Sequence, residues 1–185
     1  HYDHIHALPY LLEKLGNPVI YTATLTKALI EKRLQEFPNI PKAKFIVVKN
    51  GDVIRLCEHF EAEFFDIGHT IPDALGFILN TKVGKLVHFG DFRLDITKEG
   101  EPTNLEIFKR IGELGVHSIF IDSTNSRKEG FSISERMVEE NLEKLFRDAK
   151  GRIVLATFAS MLTRLAEIIK IADKLFVDPS MNEWD

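Results

Sequence analysis

Histidines and aspartates stand directly behind strand-like apolar runs and at the mouth of a helix, and this placement constrains the fold more than any other feature. His1-Tyr2-Asp3-His4 opens into the apolar segment 5–12. His69 follows the run 60–67 in Gly68-His69-Thr70-Ile71-Pro72-Asp73, and Asp91 follows the run 85–89 in Phe89-Gly90-Asp91-Phe92-Arg93. Side chains at strand ends hang from rigid backbone and can be aimed at one point. Imidazoles and carboxylates crowded together are costly to pack unless a cation sits among them, and a divalent metal ion is the usual solution. The chain is therefore expected to build a sheet with a metal site at its edge.

The rest of the pattern is an alternation of helices and strands, the mark of an α/β fold. Apolar spacing predicts a helix over 5–15, stopped by Gly16-Asn17-Pro18, then a short buried strand at 19–21. An amphipathic helix is expected over 24–37, with Leu25, Ala28, Leu29 and Leu34 on one side. Residues 44–49 and 52–56 read as strands joined in a hairpin by Asn50-Gly51. Strands follow at 60–67, 74–81 and 85–89, the last two joined across Val83-Gly84, then a helix at 103–114 and a strand at 118–121 that delivers Asp122. Ser132-Ile133-Ser134-Glu135 fits a capping box that opens a helix to about Ala149. A strand at 152–156 and a helix at 160–174, buried through Leu162, Leu165, Ile168, Ile169 and Ala172, complete the chain, with Lys150-Gly151 as the most plausible domain boundary.

Taken in order, His-x-Asp-His, Gly-His-Thr-Ile-Pro-Asp, Gly-Asp-Phe-Arg-Leu-Asp and Asp-Ser-Thr-Asn resemble the metallo-β-lactamase fold nucleases of the β-CASP branch, most closely the ribonuclease J family. The resemblance runs from His1 to the helix after Ser160. It implies a partial αββα sandwich over 1–150, without its N-terminal half, and the beginning of a β-CASP domain over 151–185. The family motif reads His-x-His-x-Asp-His, so a first histidine is expected two residues before His1 and a further metal-binding histidine beyond Asp185. The chain has no initiator Met, and the resemblance makes it the middle of a longer protein.

The resemblance assigns His1 and His69 to one zinc ion, Asp3 and His4 to a second, and Asp91 to both as a bridge, with manganese as an alternative metal. Each ion would then lack one histidine from outside the chain. Zinc takes such ligands at about 2.0–2.2 Å and keeps a position open for water. A second ion about 3.5–4 Å away clamps the attacking and leaving oxygens of a phosphodiester. Asp3, Asp91 and Asp122 are the implied catalytic carboxylates, Asp122 orienting a histidine from elsewhere near the leaving group. On its residues alone, Asp122-Ser123-Thr124-Asn125 could be no more than an Asx-turn or a helix-approach loop. Ser160, in Thr157-Phe158-Ala159-Ser160, reads either as an RNA phosphate contact at a helix start or as an ordinary N-cap. His6 stands where the family usually has Gly; His59, His88 and His117 sit on or beside strands and read as structural.

The implied activity is a ribonuclease, 5′-to-3′ exonuclease and endonuclease, acting on single-stranded RNA in messenger and ribosomal RNA processing in the cytoplasm, as a homodimer or homotetramer in the complete protein. DNA as substrate, another hydrolase of the same fold, and an inactive fragment or partner-binding scaffold stay open. A net charge of -4 argues against a surface that grips polyanions throughout, though not against a local basic cleft. With 44% hydrophobic and 28% charged residues, the chain has the composition of an ordinary globular domain. No apolar run reaches the length of a membrane span, and no signal peptide is evident. The single Cys57 cannot form an internal disulfide, which fits a reducing compartment.

Overall fold

The computed structural model describes residues 1–94, 105–130, 132–159 and 161–176. Two compact units divide the chain: His1–Arg93 with Asn104–Thr124, and Leu94–Thr103 with Asn125–Asp185.

The first unit begins with two short helices, α1 (Tyr2–Ile5) and α2 (Leu8–Leu11), where the spacing predicts one. Pro9 explains the interruption, since it has no N–H to donate to the carbonyl of Ile5. The expected stop at Gly16-Asn17 is present, both residues having positive φ. Strand β1 (Val19–Thr22) pairs in parallel with β2 (Lys44–Val47), and α3 (Thr24–Leu34) makes the crossover. β1 is half-exposed rather than buried, with Thr22 alone covered. On α3 the buried residue is Ile30, and Ala28 is exposed, so the packed face is rotated from the one expected.

The main sheet has the order β3 (Val53–Arg55), β4 (Glu61–Asp66), β5 (Leu75–Thr81), β6 (Gly84–His88), β7 (Val116–Phe120). All pairs are antiparallel except β6 and β7. The hairpin expected at Asn50-Gly51 is absent, because β2 and β3 lie in different sheets. The turn is there, with Lys49 N–H donating to the Asp52 carboxylate at 2.9 Å, but Gly51 N–H then donates to the Phe64 carbonyl, committing the chain to β4. The tight turn between β5 and β6 is as expected, Thr81 pairing with Gly84.

Alternation sorts the strands into two faces. Phe65, Ile67, Ile78, Val87 and Phe89 form one buried cluster with Ile111 of α4 (Glu106–Glu113), and Ile107, Phe108, Leu114 and Val116 pack against it. Each fully buried member contributes about 1.5–3 kcal/mol of transfer free energy. Phe64, Phe77, His88 and Phe120 stand in register across β4 to β7 on the other face.

In the second unit α5 (Glu135–Asp148) and α6 (Leu162–Phe176) pair, burying Phe146 and Ile171. Arg164 of α6 donates to Glu135, and Lys174 to Glu143 at 2.9 Å. The N-cap of α5 is Ser134, whose hydroxyl accepts from Met137 N–H at 3.2 Å, so the capping box read from Ser132 is displaced by two residues. Residues 152–156 form no strand. A strand exists through its ladder, and these residues have no partner among the described ones; Val154 is 89% exposed. On α6 the covered residue is Ile171, whereas Ile169 is 67% exposed.

Candidate metal centre

Strand direction places the site. β4 and β6 are both antiparallel to β5, and β7 is parallel to β6, so these three strands run the same way. Their C-terminal ends share one sheet edge, and from it emerge His69 after β4, Asp91 after β6 and Asp122 after β7. The loops of His69 and Asp91 are fastened together, Arg93 N–H donating to the Gly68 carbonyl at 2.7 Å. The approach is close enough that a Cβ on Gly68 would lie 2.8 Å from the Arg93 carbonyl oxygen, so any side chain there would force the two loops apart.

Helix α1 supplies the remaining imidazoles. His1 and His4 are three residues apart around its first turn, which sets them on one side, with ring centroids 4.8 Å apart. Asp91 Oδ2 is the hub: it lies 3.0 Å from His4 Nε2, 3.2 Å from His1 Nε2 and 3.7 Å from His69 Nε2. His1 Nε2 and His69 Nε2 are 3.1 Å apart. His1, His4 and Asp91 form a group able to hold a metal ion, with ligand atoms all within 4.8 Å of one another. Two ligand atoms bonded to one tetrahedral zinc at about 2.0–2.1 Å lie roughly 3.4 Å apart, a value bracketed by the separations of 3.0–3.7 Å among Asp91 Oδ2 and the imidazole nitrogens. The donor set, imidazole nitrogen with carboxylate oxygen, suits Zn²⁺ and Mn²⁺.

Electrostatics agree with the geometry. His69 titrates below its ordinary value, chiefly because burial disfavours the imidazolium, while the charges of Asp91 and Asp122 oppose the shift. A neutral imidazole is the form that ligates metal. Asp122 is held below the usual carboxylate range by Thr124, whose hydroxyl and N–H donate to Oδ1 at 2.6 and 2.9 Å. The Asx-turn is therefore real, and its carboxylate still acts on His69.

The structure thus brings together His1, His4, His69 and Asp91, with Asp122 on the same sheet edge. Asp3 stands apart: its side chain is 86% exposed, and the contact shown is with His1 Nδ1 at 3.5 Å. Ser160 lies outside the described residues. The sequence reading passed over Gly68, Arg93 and Thr124, which hold the site in place; of these, the Asp-x-Thr spacing of an Asx-turn is the one signal that pointed to its residue. No described helix is long and apolar enough to cross a membrane.

The sheet, its helix layer and the histidine–aspartate centre at the strand ends define the class: an α/β fold with a candidate metal centre at its sheet edge, the arrangement expected of a metallo-β-lactamase-like fold. No protein-family model matches the chain. Curated relatives named Ribonuclease J do: that of Mycoplasma pneumoniae is 38% identical over 172 residues, that of Mycobacterium tuberculosis 36% over 175, and that of Thermus thermophilus 35% over 180. These alignments cover 93–94% of the chain, which spans about 30% of the length of these relatives. Over that span the chain is similar to a segment of these ribonuclease J proteins. Among solved structures, a protein of unknown function from Enterococcus faecalis V583 shares the fold, with a TM-score of 0.60 at 19% identity, over 81% of this chain and 38% of that one.

Proposed function

We propose that this chain carries the metal-binding side of a zinc- or manganese-dependent ribonuclease that hydrolyses phosphodiester bonds in single-stranded RNA. The observation that carries the reading is the convergence of His1, His4 and His69 on one oxygen of Asp91, with Asp122 on the same sheet edge. Similarity to ribonuclease J over nearly the whole chain supports it. Residues 1–150 would belong to the metallo-β-lactamase domain and 151–185 to the start of a β-CASP domain. Exonuclease and endonuclease modes, a cytoplasmic setting, and a homodimer or homotetramer accompany the proposal.

His1, His4, His69 and Asp91 would hold the metal, with Asp3 as a second-ion ligand reached from its exposed position beside His1. Bound there, the metal would supply Lewis acidity toward the phosphate and lower the pKa of water for attack on phosphorus. As the P–O bond breaks, the departing oxygen needs a proton. Asp122 does not donate it at neutral pH, where an aspartate is already ionised and the two hydrogen bonds from Thr124 favour the charged form further. Its role is to orient and charge-stabilise a protonated imidazole that does.

In the complete protein, Asp122→Ala should therefore slow turnover by about 10²–10⁴-fold, the usual worth of general-acid assistance, and leave metal and RNA affinity close to wild type. Labelled single-stranded RNA, with DNA of the same sequence as the parallel substrate, provides the assay. Unchanged turnover in Asp122→Ala would return it to a loop role. No cleavage of RNA by the unmutated complete protein with either metal would overturn the ribonuclease reading.

A further inference from the structure

We propose that His88 is a positioning residue for Asp91, acting through a ring acceptor that fixes the backbone turn between them; the inference rests on the metal reading above. His88 ends β6, and its ring lies between its register partners on either side. Phe77 of β5 is parallel to it within 2° at a centroid distance of 5.3 Å, and Phe120 of β7 is inclined by 23° at 6.1 Å. Aromatic neighbours on both sides leave the imidazole little freedom to turn.

In this pose Nδ1 accepts the N–H of Gly90 at 3.0 Å. The sheet ladder ends one residue earlier, where Phe89 N–H donates to the Phe120 carbonyl at 3.0 Å. Gly90 then takes a left-handed φ of 64°, which turns the chain out of the strand. Asp91 comes next, and beyond it Arg93 N–H is anchored on the Gly68 carbonyl at 2.7 Å. The hub carboxylate is thus held between two backbone anchors, and the one on the strand side is made by His88. A phenyl ring would fill the stack equally well. What imidazole adds is the acceptor at Nδ1.

Two substitutions separate these contributions. His88→Phe keeps the stack and removes the acceptor, whereas His88→Asn places Oδ1 near the position of Nδ1 and loses the ring. The measurements are calorimetric titration of the metal-stripped protein with Mn²⁺, hydrogen exchange at the Gly90 amide, and urea unfolding. His88→Phe should unfold like wild type, exchange faster at Gly90 and bind Mn²⁺ on the order of tenfold more weakly, the loss typical of a disturbed outer-shell partner. His88→Asn should stay near the wild-type affinity even where stability drops. Wild-type affinity in His88→Phe, or equal losses in both variants, would overturn the proposal while leaving the metal reading intact. If His88→Phe does not fold, the affinity of His88→Asn decides alone, retention supporting the proposal and loss overturning it. Failure of the wild-type protein to take up Mn²⁺ would overturn the metal reading and this proposal with it.

Discussion

Replacing Gly68 by alanine should pull the two halves of the metal centre apart. The added Cβ would lie 2.8 Å from the carbonyl oxygen of Arg93, and the obstacle is backbone, which cannot swing aside as a side chain would. Restoring an ordinary contact of about 3.4 Å requires roughly 0.6 Å of separation between the loops. Catalytic and metal constellations tolerate displacements of about 0.5 Å, and His69 is the next residue in the chain while Asp91 is two residues from Arg93. The movement also stretches the 2.7 Å bond from Arg93 N–H to the Gly68 carbonyl. We expect a stability loss of about 1–3 kcal/mol, typical of overpacking, and a fall in metal affinity of roughly 10–100-fold. Urea unfolding and Mn²⁺ titration read the two effects separately. Gly112→Ala is the control, since nothing lies within 4 Å of a Cβ there and the position is inside α4. It should be neutral or stabilising by up to about 1 kcal/mol. Gly68→Ala with wild-type stability and metal affinity would refute the idea that this contact sets the spacing of His69 and Asp91.

Asp91→Ala should abolish most metal uptake, because three imidazoles converge on its Oδ2, whereas Asp3→Ala should leave part of the bound metal in place; metal analysis showing full occupancy in Asp91→Ala would remove it from the centre. Glu167 titrates above its ordinary value of 4.5, because burial and the charges of Glu139 and Glu135 outweigh Arg164. Its contribution thus favours folding below pH 4.5 and is lost as pH rises through the folded value, so Glu167→Gln should be more stable than wild type at neutral pH and no more stable in acid, read by urea unfolding at both. Ser134→Ala should cost about 1 kcal/mol through the lost cap, and Ser132→Ala almost nothing; the reverse order in thermal unfolding would restore Ser132 as the cap.

The sequence made the site more legible than the sheet, for a physical reason. His69, Asp91 and Asp122 each needed one local signal, a polar ligand-type residue behind an apolar run, and the antiparallel turns between β4, β5 and β6 then fixed which ends fall on one edge. A strand needs more, because it exists through a partner that adjacency in sequence does not name. Asn50-Gly51 carried a strong hairpin signal, yet Gly51 N–H bonds to Phe64, well beyond the turn, and β2 pairs with β1 across a helix. Residues 152–156 have strand composition and no partner among those described. The displaced faces of α3 and α6 follow the same logic: periodicity gives an apolar stripe, and the neighbour decides which part of it is covered. The supports of the site are harder still. Arg93 bonds to Gly68 through its main chain, where the identity of the side chain leaves no trace, and His88 works through a ring nitrogen on a residue that alternation alone places in a strand. Residues that touch a metal must be of particular types and so announce themselves, whereas those that hold them in place are found through backbone contacts that composition and spacing do not encode.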